Sequence, residues 1–427
     1  MMTPHRPPTT RPHFGRQLSS GLVGCGLILA AACWTGCADS GKTGKPEPHR
    51  LTTWDEVVAS ARGATVNMAM WDGDPLINAY MRDYVAPELR RQFGIELRQV
   101  GGQGNSLVNR LMVEKEAARD QGDIDLAWIN GETFFQLRRI EALYGPFTER
   151  LPNNQYVNWD DRFIAIDFQQ PVEGFECPWG NVQQAIIYDS LRVESPPRTL
   201  AELEAWVKTH PGRFTFDQSF TGMTFLKALL SEFAGGPGSL DGPFDEAKYR
   251  EASAKLWEYL RRLKPHLWRA GKTFPEGVAQ LHQLFNNHEV DFTMSNNDGE
   301  VDNKAIQGVI PDSSRAYVLK SGTIRNSHYV GIPWNSSNKA AAMVVANFLL
   351  SPEAQYRKAL PEVWGDGSVL DASRLPDPWK TKFLEMPGRT RAPSRSELRE
   401  YALMEPAPEI MLRLQEDFRQ EIVERDD

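Results

Sequence analysis

Two aspartates, Asp72 and Asp74, stand two residues apart in the short stretch "WDGDP" that follows an apolar run. Paired carboxylates can perform acid/base catalysis, but positions i and i+2 of a turn have no defined separation, so this pattern supports catalysis weakly. Asp74 directly precedes Pro75, and aspartate followed by proline is a standard helix start, so we expect Asp74 to cap a helix. Asp72 has no such role. Together with Trp71 and Gly73, it is predicted to contact a ligand.

Common catalytic and cofactor-binding motifs are absent from the sequence, which has no P-loop, no G-x-S-x-G elbow, no H-E-x-x-H pair and no dinucleotide fingerprint. His282 and His288 are six residues apart, which does not place them on one helical face, so a zinc site is not expected. We predict a protein that is not an enzyme and that has no cofactor and no metal.

The first 36 residues have the three-part layout of a secretory signal peptide: a basic, acid-free start, an apolar core and a small-residue end. The apolar core is shorter than the ~20 residues that span a bilayer, which favours a signal over an anchor. The segments "LAAAC" and "WTGC" resemble a bacterial lipobox, so lipidation at Cys33 or Cys37 is predicted, with an ordinary cleaved signal as the alternative. Residues 37–50 are predicted to form a flexible tether. We expect a periplasmic or extracytoplasmic protein that is lipid-anchored to a membrane.

Length, charge and cysteine content indicate the number of domains and exclude some classes of protein. A chain of 427 residues exceeds the ~250–300 at which one hydrophobic core usually stops growing, so two domains are expected. The formal charge of -8 lacks the basic footprint that nucleic-acid binding requires. Cys177 is the one cysteine beyond residue 37, so no multi-disulfide framework can form after processing, and folding must rest on core burial.

Apolar strand-like runs alternate with amphipathic helical segments after residue 53. The predicted strands "ATVNMAMW", "IELRQVGG" and "DIDLAWING" are each followed by a helix, and Pro87 is expected to kink or split the first of these helices. Parallel strands need such long crossovers. A second unit follows residue 182, with predicted strands "QAIIYD" and "RFTF" and several helices. The fold class is therefore α/β.

Several stretches together resemble the bacterial extracellular solute-binding proteins of ABC importers, in particular a YnjB-like subgroup. They include "WDGDPLIN", "DIDLAWINGETFF", "ECPWGNVQQAIIY", "FTGMTFL", "NFLLSPEAQ" and "EVWGDGSVLD", in order between residues 54 and 372. The resemblance implies a two-lobed periplasmic-binding-protein-like (type II) fold with crossing strands as the hinge. The expected N-terminal lobe is 51–182 plus 298–332, the C-terminal lobe is 190–294 plus 336–427, and the hinge lies near 183–189, 295–298 and 332–335.

The candidate site follows from the rule that ligands bind beyond the carboxyl ends of strands in α/β sheets, where helix N-termini also point. Tryptophan faces and asparagine amides there suit a small polar ligand. Each residue also has a structural interpretation as a core tryptophan, a turn former or a helix cap, and Trp128 is assigned to the core. The predicted ligand-binding residues are Trp71, Asp72, Gly73, Asn130, Gly131, Glu132, Trp179, Gly180, Asn181, Ser219, Thr221, Gly222, Ser295, Asn296, Trp334 and Asn335.

By this resemblance, the protein would capture a small polar solute through hinge closure and deliver it to ABC permease and ATPase subunits, acting as a monomer. Acidic residues near the expected cleft favour a cationic or zwitterionic solute, whereas helix N-termini favour anions. These acids are Asp72, Asp74, Glu132 and Asp298. The alternatives are an exported hydrolase that uses the first three of these acids, and a ligand-dependent sensor subunit.

Overall fold

A computed structural model describes residues 53–425 of the chain; the predicted signal peptide, the tether, Cys33 and Cys37 lie outside the described residues. None of the helices within 53–425 combines the length and the apolar character needed to cross a membrane. The strands are β1 (Thr65–Met70), β2 (Glu96–Gly101), β3 (Leu126–Ile129), β4 (Leu143–Tyr144), β5 (Ile166–Asp167), β6 (Gln170–Pro171), β7 (Glu176–Gln183), β8 (Ala185–Asp189), β9 (Phe292–Ser295), β10 (Ser314–Tyr317), β11 (Thr323–Pro333) and β12 (Ala402–Leu403).

The α-helices connect these strands and cover the sheets. They are α1 (Trp54–Ala61), α2 (Pro75–Tyr80), α3 (Ala86–Phe93), α4 (Gly104–Glu116), α5 (Gly131–Arg139), α6 (Arg162–Ala165), α7 (Leu200–Thr209), α8 (Phe220–Phe233), α9 (Glu246–Leu263), α10 (Val278–Asn286), α11 (Glu300–Ile306), α12 (Lys339–Leu349), α13 (Pro352–Ala359), α14 (Trp379–Leu384), α15 (Arg395–Leu398) and α16 (Pro408–Phe418).

The larger sheet has the order β12-β11-β3-β1-β2, and β4 and β7 also pair with β11. β1 is parallel to β2 and to β3, which confirms the prediction of parallel strands with helical crossovers. β11 is antiparallel to both β3 and β7. The carboxyl ends of β1, β2 and β3 therefore meet at one edge of this sheet, and the carboxyl end of β11 lies at the opposite edge.

The smaller sheet has the order β10-β8-β9, with both pairs antiparallel. Ala185, the first residue of β8, is paired with Ser295, the last residue of β9. The chain passes from the larger to the smaller sheet at Gln184, between β7 and β8, and it returns between β10 and β11. These two passages place the connections between the sheets beside the carboxyl-terminal end of β9.

Two of the predicted elements need correction or refinement. The predicted strand "RFTF" (213–216) is irregular, because its backbone groups bond singly to distant segments, such as Trp268 N–H to the carbonyl of Phe214 at 2.9 Å. Pro87 neither ends nor separates its helix. Instead, a single π-helical stretch, Met81–Val85, joins α2 to α3, and Pro87 occupies the first turn of α3, where its missing N–H costs little.

Two large apolar clusters underlie the two sheets. The first contains Val66, Val330 and the buried side of α12, and the second contains Ile187, Phe292 and the buried side of α8. Segments 300–319 pack with the second cluster, whereas α12 and α13 pack with the first. The predicted lobe boundaries place both segments on the other side. They misplace the return passage because β11 belongs to the larger sheet from residue 323, so that residues 332–335 lie at the end of this strand and not between the sheets. The division into two lobes stays a prediction.

Candidate functional site

The loop after β1 holds the stretch "WDGDP" at the carboxyl edge of the larger sheet. The carboxylate of Asp74 accepts the backbone N–H groups of Leu76 and Ile77 at 2.7 and 3.1 Å, so Asp74 caps α2 as predicted. Trp71 is 39 % exposed, and Asp72 and Gly73 are exposed beside it. The Trp71 ring lies across Gly73, since a Cβ there would be 2.5 Å from the ring. Trp71 and Asp72 therefore remain accessible to a solute.

Asp74 has a second partner, because its other carboxylate oxygen forms an ion pair with Lys304 of α11. Both side chains are almost fully buried, and Glu300 lies 3.6 Å from the same ammonium group. Although burial lowers the pKa of Lys304, the attraction of Glu300 and Asp74 raises it above its ordinary value. Lys304 is thus held as a cation where the loop after β1 meets the helix that follows β9.

The loop after β3 is also closely packed. The side chain of Asn130 caps α5 by accepting the backbone N–H of Thr133 at 3.4 Å, and it also accepts the hydroxyl of Thr133 at 2.8 Å. Gly131 lies under the ring of Phe168, where a Cβ would be 1.8 Å from a ring carbon. Burial raises the pKa of the Glu132 carboxyl against the attraction of the nearby Lys227. Of the three predicted residues, Asn130 and Gly131 have structural roles, and Glu132 carries a perturbed carboxyl group.

The start of α8 faces the end of β9 and the passage between the sheets. The hydroxyl of Thr221 accepts the side-chain amide of Asn296 at 3.1 Å, and its carbonyl accepts that of Gln184 at 2.8 Å. Ser219 donates its backbone N–H to Asp217 at 2.9 Å, and its hydroxyl bonds the same carboxylate oxygen. Several predicted residues of the second unit are thereby brought together.

Two predicted residues of this region are held in place by their neighbours. A Cβ at Gly222 would be 1.6 Å from the carbonyl oxygen of Asp217, so only glycine fits there without a shift. Ser295 is buried, with its hydroxyl bonded to Glu300 and accepting the backbone N–H of Asn297 at 2.9 Å. Both residues support the site rather than face a solute.

The segment "PWGN" does not supply ligand contacts. Trp179 is 0 % exposed and packs against Trp128 and Trp364 at ring distances of 4.9 and 5.3 Å. Gly180 is covered by the ring of His328, and the side chain of Asn181 is bonded to Ser327 and other groups of the larger sheet. The prediction for these residues is overturned because β7 is buried on both faces, where the sequence favours a strand-end loop.

Trp334 and Asn335 lie at the wrong edge of the larger sheet. Gly331 pairs with Ala127 near the start of β3, so the residues after β11 lie near the beginning of β3 and not near Asn130. Asn335 donates to the carboxylate of Glu114 at 2.8 Å, away from the cleft loops. The prediction for this pair is overturned by strand direction, because β11 is antiparallel to β3.

The acidic bias expected of the cleft is smaller than the sequence suggests. Asp74 is neutralised by Lys304, and Asp298 by Arg389 and Arg395. Burial opposes ionisation of Asp298, but the attraction of Arg395 and Arg389 lowers its pKa below the usual range. Among the four acids used to favour a cationic solute, Asp72 is the one that keeps an exposed side chain.

Sequence reasoning missed a buried group of carboxyls beside α8. Lys227 forms an ion pair with Glu405, and its ammonium lies 4.9 Å from the ring of Phe168. Burial and the neighbouring Glu405 raise the pKa of Asp167 well above its usual range, and burial and Asp167 do the same for Glu176. No motif surrounds these acids in the sequence; their spacing is set by long-range packing alone.

Residues 84–386 match the family model described as bacterial extracellular solute-binding protein. Protein YnjB of Escherichia coli (strain K12) is 39 % identical over 328 residues, which are 76 % of this chain and 84 % of YnjB.

Solved structures with the same fold are far more distant in sequence. The spermidine/putrescine ABC transporter substrate-binding protein PotD of Streptococcus pneumoniae has a TM-score of 0.57 at 15 % identity, over 84 % of this chain and 99 % of that one. AfuA of Actinobacillus pleuropneumoniae, with fructose-6-phosphate bound, has a TM-score of 0.57 at 14 % identity, over 84 % and 98 %. These likenesses show the type II periplasmic-binding-protein fold. With the family match and the similarity to YnjB, they establish that the chain belongs to the bacterial extracellular solute-binding proteins, the solute-binding components of ABC transporters.

Proposed function

We propose that this chain captures a small polar solute between the loops of its larger sheet and those of its smaller sheet, and delivers it to an ABC permease and its ATPase. The observation that carries the proposal is the buried ion pair between Asp74 and Lys304, which joins the loop after β1 to the helix that follows β9. The candidate loops of the two sheets thus adjoin each other.

A solute that contacts both sides binds the closed arrangement better than an open one, so it shifts the population toward closure. On the larger sheet, the side chains that would contact the solute are Trp71 and Asp72. On the smaller sheet, they are Asn296 and its neighbours around Thr221. The two passages between the sheets, at Gln184 and between β10 and β11, are the proposed hinge. Closure then presents a changed surface to the permease, with no catalytic step.

The hydrolase alternative loses two of its three acids to other roles. Asp74 is committed to the cap of α2 and to Lys304, and the half-buried Glu132 carboxyl lies near Lys227, with its pKa raised by burial. Asp72 alone gives no acid/base pair. Solute capture therefore remains the better proposal.

Export and lipid anchoring complete the proposal and rest on the sequence of residues 1–37. Lipidation of Cys33 or Cys37 would hold the protein beside its permease. Mass spectrometry of the membrane fraction should show a diacylglycerol-modified N-terminal cysteine, and replacement of both residues by serine should release the protein from the membrane. Unmodified protein in the soluble fraction of the wild type would contradict the anchor without affecting solute capture.

A thermal-shift screen tests solute capture itself. Thiamine, polyamines, sulfate, phosphonates, metal chelates and oligosaccharides form a panel that spans charge and size. A true solute raises the midpoint in proportion to the logarithm of its excess over Kd. Solution scattering with that solute should show a smaller radius of gyration. No midpoint shift with any panel member, together with an unchanged scattering profile, would overturn the proposal.

A further inference from the structure

Three buried acceptor oxygens without hydrogen-bond donors surround the first turn of α8. They are Oε1 of Gln184, Oδ1 of Asn296 and Oδ2 of Asp217. Gln184 is 1 % exposed and Asp217 is 0 % exposed. Buried acceptors nearly always have donors in folded proteins, so three beside one helical turn indicate that something else supplies the donors.

The two amides are oriented by the same threonine. Gln184 donates its Nε2 to the carbonyl of Thr221 at 2.8 Å, which fixes that amide because a carbonyl can only accept. Asn296 donates its Nδ2 to the hydroxyl of Thr221 at 3.1 Å. Ala185 pairs with Ser295, so Gln184 and Asn296 occupy the next positions along β8 and β9 and are direct neighbours. Their oxygens are both left free.

Asp217 adds a charge to this pair. One carboxylate oxygen accepts from Ser219, and the other has no partner. Across residues 53–425, no cationic side chain forms an ion pair with Asp217, and Lys227 on the same helix is bonded to Glu405. The side chains around the turn therefore offer three acceptors and one negative charge, with no side-chain cation of the described residues paired to them.

We propose, on the basis of the proposed solute capture, that this turn binds a primary ammonium group of the solute. An ammonium group carries one positive charge and three N–H donors that diverge from one atom, which matches one carboxylate and two amide oxygens. A hydroxyl brings one donor and no charge. Over the described range, no group of three or more His, Cys, Asp or Glu side chains is arranged to hold a metal ion.

Calorimetric titration of the full chain with matched amines tests this assignment. The probes are ethanolamine, 4-aminobutanoate and 1,4-diaminobutane, each compared with the counterpart that carries a trimethylammonium group at every amine nitrogen, which keeps the charge and removes every N–H. We expect at least one primary amine to bind with a Kd below 1 mM, as an order-of-magnitude threshold, and its trimethyl counterpart to bind about tenfold more weakly or worse. Equal affinity within each pair, or no binding by any primary amine, overturns the assignment.

Variants distinguish a loss of amine binding at this turn from a general loss of folding stability. Gln184→Met and Asp217→Asn should each weaken amine binding about tenfold or more. Gln355→Met is the matched control, because Gln355 is another buried glutamine whose amide is fully bonded within the larger sheet's cluster, and it should leave amine affinity unchanged. Unchanged affinity in both test variants would contradict the assignment. Binding and closure with a solute that lacks an amine would overturn the ammonium site alone, whereas a panel without any binding solute would overturn solute capture as well.

Discussion

The carboxylate of Asp74 caps α2 with one oxygen and pairs with the buried ammonium of Lys304 with the other. A single side chain thus fixes the start of a helix on the larger sheet and holds the helix that follows β9. Removing one partner of a buried pair leaves an uncompensated charge, which is costly.

Asp74→Ala should lower the free energy of unfolding by about 3–5 kcal/mol, because it uncaps α2 and removes the nearer of the two carboxylates that pair with the buried Lys304. Urea unfolding monitored by circular dichroism measures the change. The double variant Asp74→Ala with Lys304→Met should recover part of the loss, since it removes the orphaned charge. A double variant that is less stable than Asp74→Ala alone would show that the pair is not the source of the effect.

Exposed and buried tryptophans should behave in opposite ways. Trp71→Ala should weaken solute binding with little change in stability, because its ring is 39 % exposed at the end of β1. Trp179→Ala should instead cost about 3–5 kcal/mol of stability by opening a cavity in the core. Parallel calorimetry and urea unfolding of both variants check this. Trp334→Ala is the control at the opposite edge, where loss of affinity would restore the rejected prediction.

Because Asp167 and Glu176 are buried, we expect their contribution to the free energy of unfolding to fall as pH rises. Burial raises the pKa of Asp167 and of Glu176 well above their usual range, and both carboxylate oxygens of Glu176 lack hydrogen-bond partners. The folded state therefore holds protons that the unfolded state has released, so this contribution is complete below the unfolded pKa values of about 3.9 for Asp and about 4.3 for Glu, and it is lost as pH rises through the folded values. Relative to wild type, Glu176→Gln should gain stability between pH 5 and pH 8. Urea unfolding across that range, with the exposed Glu251→Gln as control, measures the difference. Parallel profiles for wild type and Glu176→Gln would contradict it.

For Asp366 we expect the opposite dependence, a contribution to stability that is lost as pH falls. Burial disfavours its charged form, but His328 and Lys358 more than compensate and lower the pKa of Asp366 to about 2. Its contribution is present above the unfolded pKa of ~3.9 and is lost as pH falls through about 2. Asp366→Asn should unfold at a higher pH than wild type in an acid titration followed by tryptophan fluorescence. An unchanged midpoint would show that the buried His328–Asp366–Lys358 group does not stabilise the fold.

Local sequence signals identify part of this molecule reliably. The order Asp74–Pro75 predicts the helix cap because both residues act within one turn. The parallel strands β1, β2 and β3 are recognisable because each apolar run is followed by a helix of crossover length. The family resemblance and the α/β fold are confirmed as well.

Long-range pairing accounts for what the sequence alone does not reveal. Trp334 carries the same local signal as Trp71, but the direction of β11 places it at the other edge of the sheet. Trp179 is buried because β7 is covered on both faces, which depends on α12, α13 and Trp364 far along the chain. Gln184 lies within the predicted hinge, yet its free acceptor becomes visible only when Thr221 and Asn296 are placed beside it.

Spin-label distances across the two sheets test solute capture most directly. Val113 on α4 and Leu191 after β8 are exposed and can carry the labels, with Cys25, Cys33 and Cys37 replaced by serine and the buried Cys177 left unlabelled. Pulsed electron resonance should show a shorter and narrower distance distribution when the solute that gives the largest thermal shift is added. The same distribution with and without saturating solute would contradict capture by closure.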